Sequence, residues 1–510
     1  MTERRRGGSS RRGADRSRST IGQRPWKVVE RRFAPTEVIS ADEVEAIHVA
    51  ASSILEDVGI RVLDDEARRR YREAGATVDE LQVRLDREMV AAFLSSVPET
   101  FVLRSRNPER DLPVGGRHTI FCSTGGPAFV MDNERGRRSG TYAEFCDYLR
   151  VVQSLDIVHQ EGGGPFEALD LPAHDRHLDH YFAQITLMDK NWQPQSLGRL
   201  RVLDALDMTA IALGVSRDDM CSITALSGVI NTNSPLQLDS PMAQGLIALA
   251  EHQQVSVVTP FTLAGAMGPV TLAGSLALQH AEAMAVIVLT QIVRPGSPAM
   301  YGGFTSNVDM RSGSPAFGTP EYALAAQASG QLARRIGVPF RSSNTTAAND
   351  VDAQAAYESQ MSLWGALAGG AHMVLHAAGW IGGGLAASFE KLILDAEMLQ
   401  MMAAYFEGFS VDEADLGLAA IRDVGPGGHF FAAAHTLERY QTAFYTPILS
   451  NWDNYETWVE RGRVDARTRA GEIWRSLLDA YEPPPIDDAV VAELTEFVAR
   501  RKLEGGAPMN

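Results

Sequence analysis

The chain has 510 residues, of which 45% are hydrophobic and 22% charged, with 45 glycines and 24 prolines. That balance excludes an intrinsically disordered, collagen-like or disulfide-framework protein and leaves a large globular one. A formal net charge of −17 argues against nucleic acid as the main partner.

The first 27 residues run against that charge, with nine Lys or Arg against Glu3 and Asp15. Lacking an apolar block, they read as a disordered basic tail and not as a secretory leader. Residues 28–150 read as an N-terminal helical cap with a small β layer. Val44, Ile47, Ala50, Ile54 and Leu55 fall at helical spacing, while 100–104 and 118–130 alternate and carry Gly and Pro as a hairpin layer would.

From Asp156 short apolar strands are expected at 157–161, 193–197, 222–226, 256–260, 298–302, 338–342, 373–377 and 417–424. Amphipathic runs at 171–188, 202–213, 242–252, 276–292, 320–336, 353–367, 389–406 and 430–440 separate them. Eight βα units over 151–442 imply an α/β fold whose parallel sheet closes into a (β/α)8 TIM barrel. Residues 443–510, with Tyr445, Trp452, Tyr455 and Trp458 ahead of charged helices, form an aromatic, helical extension that packs on the barrel or docks another protein.

His252 to Ala281 is free of charge and long enough to cross a bilayer. Pro260, Pro269 and its glycines break it, so no membrane association is expected. Cys122, Cys146 and Cys221 form no CxxC pair, and a reducing cytoplasm is the expected compartment.

Barrel enzymes build their sites at the carboxyl ends of the strands. The expected exits hold Gly162 to Gly164, Gly228 with Asn231 to Asn233, Gly265 to Gly268, Gly302-Gly303, Ser342 to Asn344, Gly379 with Gly382 to Gly384, and Gly425 to Gly428. His376 is the leading polar candidate, placed to donate a hydrogen bond or hold a substrate carboxylate. His372, at the other end of the same strand, reads as core. The polar insert from Asn344 to Asp352 is expected to line the mouth, with Asp350 or Asp352 capping the next helix.

His174, His177 and His180 share a helix face, but no ligand from a second element is evident, so no metal is expected. Phe166, Tyr301, Phe304, Phe317 and Trp380 lie near strand exits and could face a cation with their π clouds. No GxxxxGK followed by Ser or Thr, no GxGxxG after a strand and no GxSxG occurs, so nucleotide binding and a hydrolase elbow lack support.

Gly162-Gly-Gly-Pro165, Asn231-Thr-Asn233-Ser-Pro235, Gly265-Ala-Met-Gly-Pro269-Val-Thr271, Asp352-Ala-Gln354-Ala-Ala-Tyr357-Glu358, His376-Ala-Ala-Gly-Trp380, Ser388-Phe-Glu390-Lys391, Asp395-Ala-Glu397-Met398 and Gly425-Pro-Gly-Gly428 follow one another in the chain. In that order they resemble the trimethylamine methyltransferase family over roughly residues 35–480. The resemblance implies removal of a methyl group from a small methylated amine and its transfer to the cobalt corrinoid (cobalamin) of a partner protein. It further implies no tightly bound cofactor and a homo-oligomer.

Founding members of that family carry pyrrolysine, whereas this chain has only standard residues; the position would fall between Asn344 and Asp352. Members without it look like demethylases of quaternary amines such as glycine betaine, carnitine or proline betaine. A quaternary ammonium loses methyl to leave a neutral tertiary amine, so its nitrogen needs no proton, and cobalt(I) can attack in line. The expected site has Tyr301, Phe304 and Trp380 around the onium, with Asn231, Asn233 and Asn344 as polar mouth residues. His376 would orient a carboxylate, and Glu390 would neutralise the cation or cap the following helix. Direct transfer to tetrahydrofolate, and a barrel that binds betaine or a corrinoid partner without turnover, remain as alternatives.

Overall fold

Strands buried on both faces read as unbroken apolar or small-residue runs, because neither side meets water. In the computed structural model, which describes residues 21–507, eight strands follow one another around a ring, and polar residues interrupt that pattern in the second, third and seventh. The strands are β1 (His118–Ser123), β2 (Gln160–Glu161), β3 (Asn191–Trp192), β4 (Ser227–Ile230), β5 (Val255–Val258), β6 (Ala299–Gly302), β7 (Phe340–Ser343) and β8 (Met373–Ala378). Each is followed by a helix: α1 (Tyr142–Ser154), α2 (Arg176–Leu187), α3 (Arg199–Leu213), α4 (Ser240–Glu251), α5 (Leu272–Val293), α6 (Pro320–Arg335), α7 (Ala353–Ala368) and α8 (Phe389–Glu407). Thr141, Asp239, Thr319, Asp352 and Ser388 cap α1, α4, α6, α7 and α8 through their side-chain oxygens.

Successive strands pair in parallel and β8 pairs back onto β1. Between β3 and β4 the Asn191 side-chain amide donates to the Ala225 carbonyl at 2.8 Å in place of a ladder. The ring is thus a nearly closed (β/α)8 barrel.

The structure corrects four expected strands, two of them by displacement: 193–197 and 222–226 hold no strand, and the strands of those units are Asn191–Trp192 and Ser227–Ile230. His118–Ser123, assigned to a hairpin layer, is the first barrel strand, and Thr119 to Ser123 are fully buried. Gly417 to Val424, assigned as the eighth strand, instead holds the exposed helix Leu418–Val424. Eight strands already make up the ring without it.

Residues 1–20 of the basic tail lie outside the described residues. Residues 21–27, expected to be disordered, are seated on the barrel: Arg24 and Lys27 pair with Glu407, and the Trp26 ring meets His159 edge-on at 5.9 Å. The Gln23 side chain, which donates to the Ser154 carbonyl and accepts from the Asp156 amide, and the Arg24 amide, which donates to Gln400, hold the same stretch.

Ile120, Cys122, Val255, Val257, Met300, Met373 and Leu375 fill the barrel, whose amino end is plugged by the hairpin Phe101–Leu103 with Leu112–Val114. Helix α5 has the length and apolarity of a membrane span, yet 89% of its apolar window is buried inside the fold. Helices Ala41–Ser53 and Arg87–Leu94 cover it, and the Tyr71 hydroxyl donates to its Ala285 carbonyl at 2.9 Å. The C-terminal helices pack back, Ala466–Asp479 on α8 and α1, and Asp488–Leu503 on α2 and α3.

Candidate functional site

Alternation along a strand decides which side chains enter the barrel. On β6 Met300 turns into the interior cluster while Tyr301 joins the outer layer, and on β7 Phe340 lies outside. Arg341, the next residue, faces a cavity of about 450 Å³ at the carboxyl end of the barrel.

Arg341 is only 2% exposed, and its Nε and Nη1 have no hydrogen-bond partner. Burial lowers its pKa to about 10, and the groups opposing that shift are Tyr322 and Cys122, with no acid among them. A buried guanidinium without a counter-ion is costly. The Phe304 ring lies 5.4 Å from its Cζ.

Aromatic rings line the cavity beyond that charge. Phe304 lies 5.2 Å from Phe261, 5.8 Å from Phe317 and 6.4 Å from His376, while His376 stacks on Trp380 at 5.7 Å and 26°. His376 sits at φ +53°, where β8 shifts its register against β1. This departure from strand geometry breaks the in-out alternation and presents the ring to the cavity. Its Nδ1 has no partner, and burial, reinforced by the Arg341 charge, pushes its pKa down to about 3. His376 is therefore a neutral imidazole at pH 7.

Glycine turns form the rim. A Cβ on Gly125 would stand 1.9 Å from the Gly162 carbonyl oxygen, and one on Gly162 would stand 2.2 Å from that of Ser123, so the first two exits interlock backbone against backbone. Glu161 fixes this arrangement by accepting from the Gly163 and Gly164 amides at 2.9 Å each, and from the Gln184 side chain. Burial raises its pKa to about 7 against those donors. Below the rim Gln193 donates to Gln160, which also accepts from Cys122, both at 3.1 Å. On one side Glu167 accepts from Gln195 at 3.1 Å and Arg176 at 2.7 Å.

The structure brings His376, Phe304, Trp380 and Asn231 to the cavity wall. Tyr301 is fully buried in the outer layer, its hydroxyl 3.1 Å from Gln279 and 3.2 Å from His280. Asn233 is exposed beyond the wall, its amide bonded to Gln237. Asn344 lies beneath, donating to the Ala377 carbonyl and to Asp395, which pairs with Lys391. Glu390 stands in the first turn of α8, where Ser388 is the cap, and accepts from the Trp474 indole at 2.9 Å. It does not line the cavity.

The insert from Asn344 to Asp352 stays out of the cavity too. Thr346 and Ala348 accept from the Gly383 and Gly382 amides and so hold the rim turn from below. Asp352 caps α7 and Asp350 pairs with Arg467. His372 is held by the Phe340 amide at the barrel's amino end. His177 bonds Asp204 at 2.9 Å and His180 stacks on Phe145 at 4.0 Å. Among the described residues no three potential ligands gather as a metal site.

Sequence reasoning assigns no role to Arg341, Phe261 or Gln193. A guanidinium in the middle of an otherwise uncharged buried strand was the available signal.

A family model described as trimethylamine methyltransferase matches residues 4–506. A glycine betaine methyltransferase of Desulfitobacterium hafniense is 37% identical over 470 residues, covering 92% of this chain and 98% of that protein. The trimethylamine methyltransferase MttB of Methanosarcina barkeri is 26% identical over 482 residues, covering 90% and 94%. Among solved structures, the monomethylamine methyltransferase MtmB of Methanosarcina barkeri aligns with a TM-score of 0.48 at 10% identity, over 87% of this chain and 93% of that one.

Proposed function

The chain belongs to the trimethylamine methyltransferase family, and on that premise we propose that this methyltransferase demethylates a quaternary ammonium compound that also carries a carboxylate, of the glycine betaine kind. The observation that carries the reading is Arg341, a buried guanidinium with unpartnered nitrogens facing a cavity walled by Phe261, Phe304 and Trp380. A carboxylate completes the fork of Arg341, with His376 as a neutral hydrogen-bonding neighbour. The aromatic faces then hold the onium nearer the mouth.

That orientation turns an N-methyl group toward the open rim. The carbon–nitrogen bond breaks with its electron pair left on nitrogen, releasing a neutral tertiary amine. The methyl carbon passes to a two-electron nucleophile, cobalt(I) of a corrinoid protein that comes to the mouth as co-substrate. The chain's residues bind, orient and desolvate the cation, and none needs to donate a proton.

Calorimetry on Arg341→Gln tests this with two ligands, glycine betaine and the carboxylate-free onium choline. Betaine affinity is expected to fall on the order of 100-fold, with choline affinity unchanged. Equal losses for both ligands, or no loss for betaine, would overturn the reading.

A further inference from the structure

The cavity has a second polar wall. Gln193 is the first residue after β3, while Arg341 stands on β7, four strands away in a ring of eight and therefore on the opposite side. Both are buried and both line the cavity. An amide side chain at such a place is donor or acceptor to a ligand, according to which end it turns inward.

The oxygen and nitrogen of an amide are told apart by the bonds they make. The series starts at the amino end of the barrel, where Asn191 Nδ2 donates to the carbonyls of Arg104 and Ala225, both at 2.8 Å. Backbone carbonyls only accept, so the nitrogen lies there and Asn191 Oδ1 points into the barrel. That oxygen accepts from Gln160 Nε2 at 2.5 Å, and the same nitrogen donates to Ser227 Oγ at 3.0 Å. Gln160 Oε1 is left to accept, from the Cys122 thiol and from Gln193 Nε2, both at 3.1 Å. Gln193 Nε2 is thus turned inward, toward Gln160 and the Met373 sulfur at 3.9 Å, and neither contact uses Oε1.

Three amides in a barrel core are costly unless their polar atoms are met, and a fully met network fixes one geometry. Here every polar atom of the three side chains is engaged except the oxygen that Gln193 leaves for the cavity. Two backbone carbonyls, set by the fold, decide through this relay that an acceptor is presented to the ligand.

What that acceptor meets follows from the substrate reading above, on which this inference rests. A zwitterion held by its carboxylate at Arg341 turns its positive end toward the opposite wall. The N-methyl groups, polarised by the ammonium charge, are C–H donors to an oxygen placed there. Glu167, the acid that lines the cavity, is engaged by Arg176 and Gln195, so the onium is met by neutral groups. We infer that Gln193 is a specificity-determining residue: its oxygen, locked toward the cavity by Asn191 and Gln160, selects a charged trimethylammonium group over a neutral group of the same shape. Gln160 is a positioning residue that acts through it.

The test is calorimetry on the full chain with glycine betaine and with tert-butylacetate, in which carbon replaces the quaternary nitrogen while shape and carboxylate are kept. Gln193→Met keeps the length of the side chain and removes the carbonyl, and Gln160 Oε1 retains the Cys122 thiol. Betaine affinity should fall about 10-fold, the scale of one hydrogen bond to a charged group, with tert-butylacetate affinity unchanged. Gln160→Met frees the Gln193 amide to turn and should lower betaine affinity about 3-fold, the ordering cost of one side chain, again with tert-butylacetate unchanged. The double variant should lose no more than Gln193→Met alone, because one residue acts through the other. Equal losses for both ligands, no loss for either, or additive losses in the double variant would overturn the inference while leaving the substrate reading in place. A parent chain that binds tert-butylacetate as tightly as betaine, or binds neither, would overturn both.

Discussion

The barrel mouth and the arm that follows α8, from Gly408 to Thr446, depart from ordinary folding rules in opposite senses. At the mouth polar groups are buried without partners, namely Nε and Nη1 of Arg341 and Nδ1 of His376. In the arm apolar groups stand in water, with Phe431 85% exposed. Desolvating an unpaired guanidinium costs several kcal/mol, while each exposed apolar Å² forgoes about 25 cal/mol. The mouth presents a buried cation beside aromatic faces, and the arm presents apolar surface.

The sharpest way to break this comparison is Arg341→Met. If Arg341 is held for a ligand, methyl transfer from betaine to free cob(I)alamin, followed by absorbance, should fall on the order of 100-fold. Urea unfolding of the ligand-free protein should show stability raised by about 1–3 kcal/mol, because the uncompensated charge is gone. Loss of both activity and stability would mark Arg341 as a structural residue.

Acid titration separates the regions next. His159, His180, His280 and His376 are pushed to about 3, and His372 to about 4, in each case chiefly by burial in the barrel body. Below pH 6.5 the unfolded chain binds protons at these sites that the folded chain refuses. Their stabilisation is therefore complete above pH 6.5 and is lost progressively down to about 3. Glu161, raised to about 7, opposes this between 4.5 and 7, because its folded form holds the proton. Burial raises Glu282, Glu390 and Asp395 in the same sense as Glu161, but five histidines outweigh these carboxyls, so the urea midpoint should fall from pH 7 to pH 5 by several kcal/mol in equivalent stability, at about 1.4 kcal/mol per unit and group. An unchanged midpoint would contradict the burial of these rings.

Smaller effects sharpen the mouth itself. Trp380→Leu removes one aromatic face and should weaken betaine binding about 10-fold by calorimetry. His376→Asn keeps a residue type that tolerates positive φ, so stability should stay within about 1 kcal/mol. Betaine affinity should still fall about 5-fold to 10-fold through loss of the ring's hydrogen bond. His376→Val, β-branched at the same backbone position, should be clearly less stable than Asn.

How far the sequence discloses these regions differs with the physics involved. Seven βα units are legible because buried parallel strands and amphipathic helices alternate with a fixed rhythm, although only five of the seven strands overlap their expected positions and those of 193–197 and 222–226 are displaced to 191–192 and 227–230. His118–Ser123 escapes because flanking glycine and proline suggest a hairpin, and an isolated apolar run does not state its pairing partner. His376, Phe304 and Trp380 are legible as chemistry at a strand exit. Tyr301 misleads because a one-residue error in facing sends a side chain to the other side of the sheet. Arg341 is hidden for the converse reason: its significance lies in the absence of a partner, which only three-dimensional packing reveals.

The smallest expected effect concerns Glu390, which the sequence places beside the site and the structure places behind it. Its Oε1 accepts from the Trp474 indole, its Oε2 has no partner, and burial raises its pKa. A group in that position links α8 to the helix Ala466–Asp479 and has no line to the cavity. Glu390→Gln keeps an acceptor for the indole and removes a charge that burial disfavours, so urea stability should stay within about 1 kcal/mol. Methyl transfer should stay within about 2-fold, since an unperturbed interaction alters a rate little. Glu390→Ala, by leaving the indole N–H unmet, should cost about 1–3 kcal/mol of stability with the same rate per folded molecule. A 10-fold slower Gln variant of normal stability would instead place this carboxyl in the methyl-transfer machinery and dissolve the boundary between the mouth and the C-terminal helices.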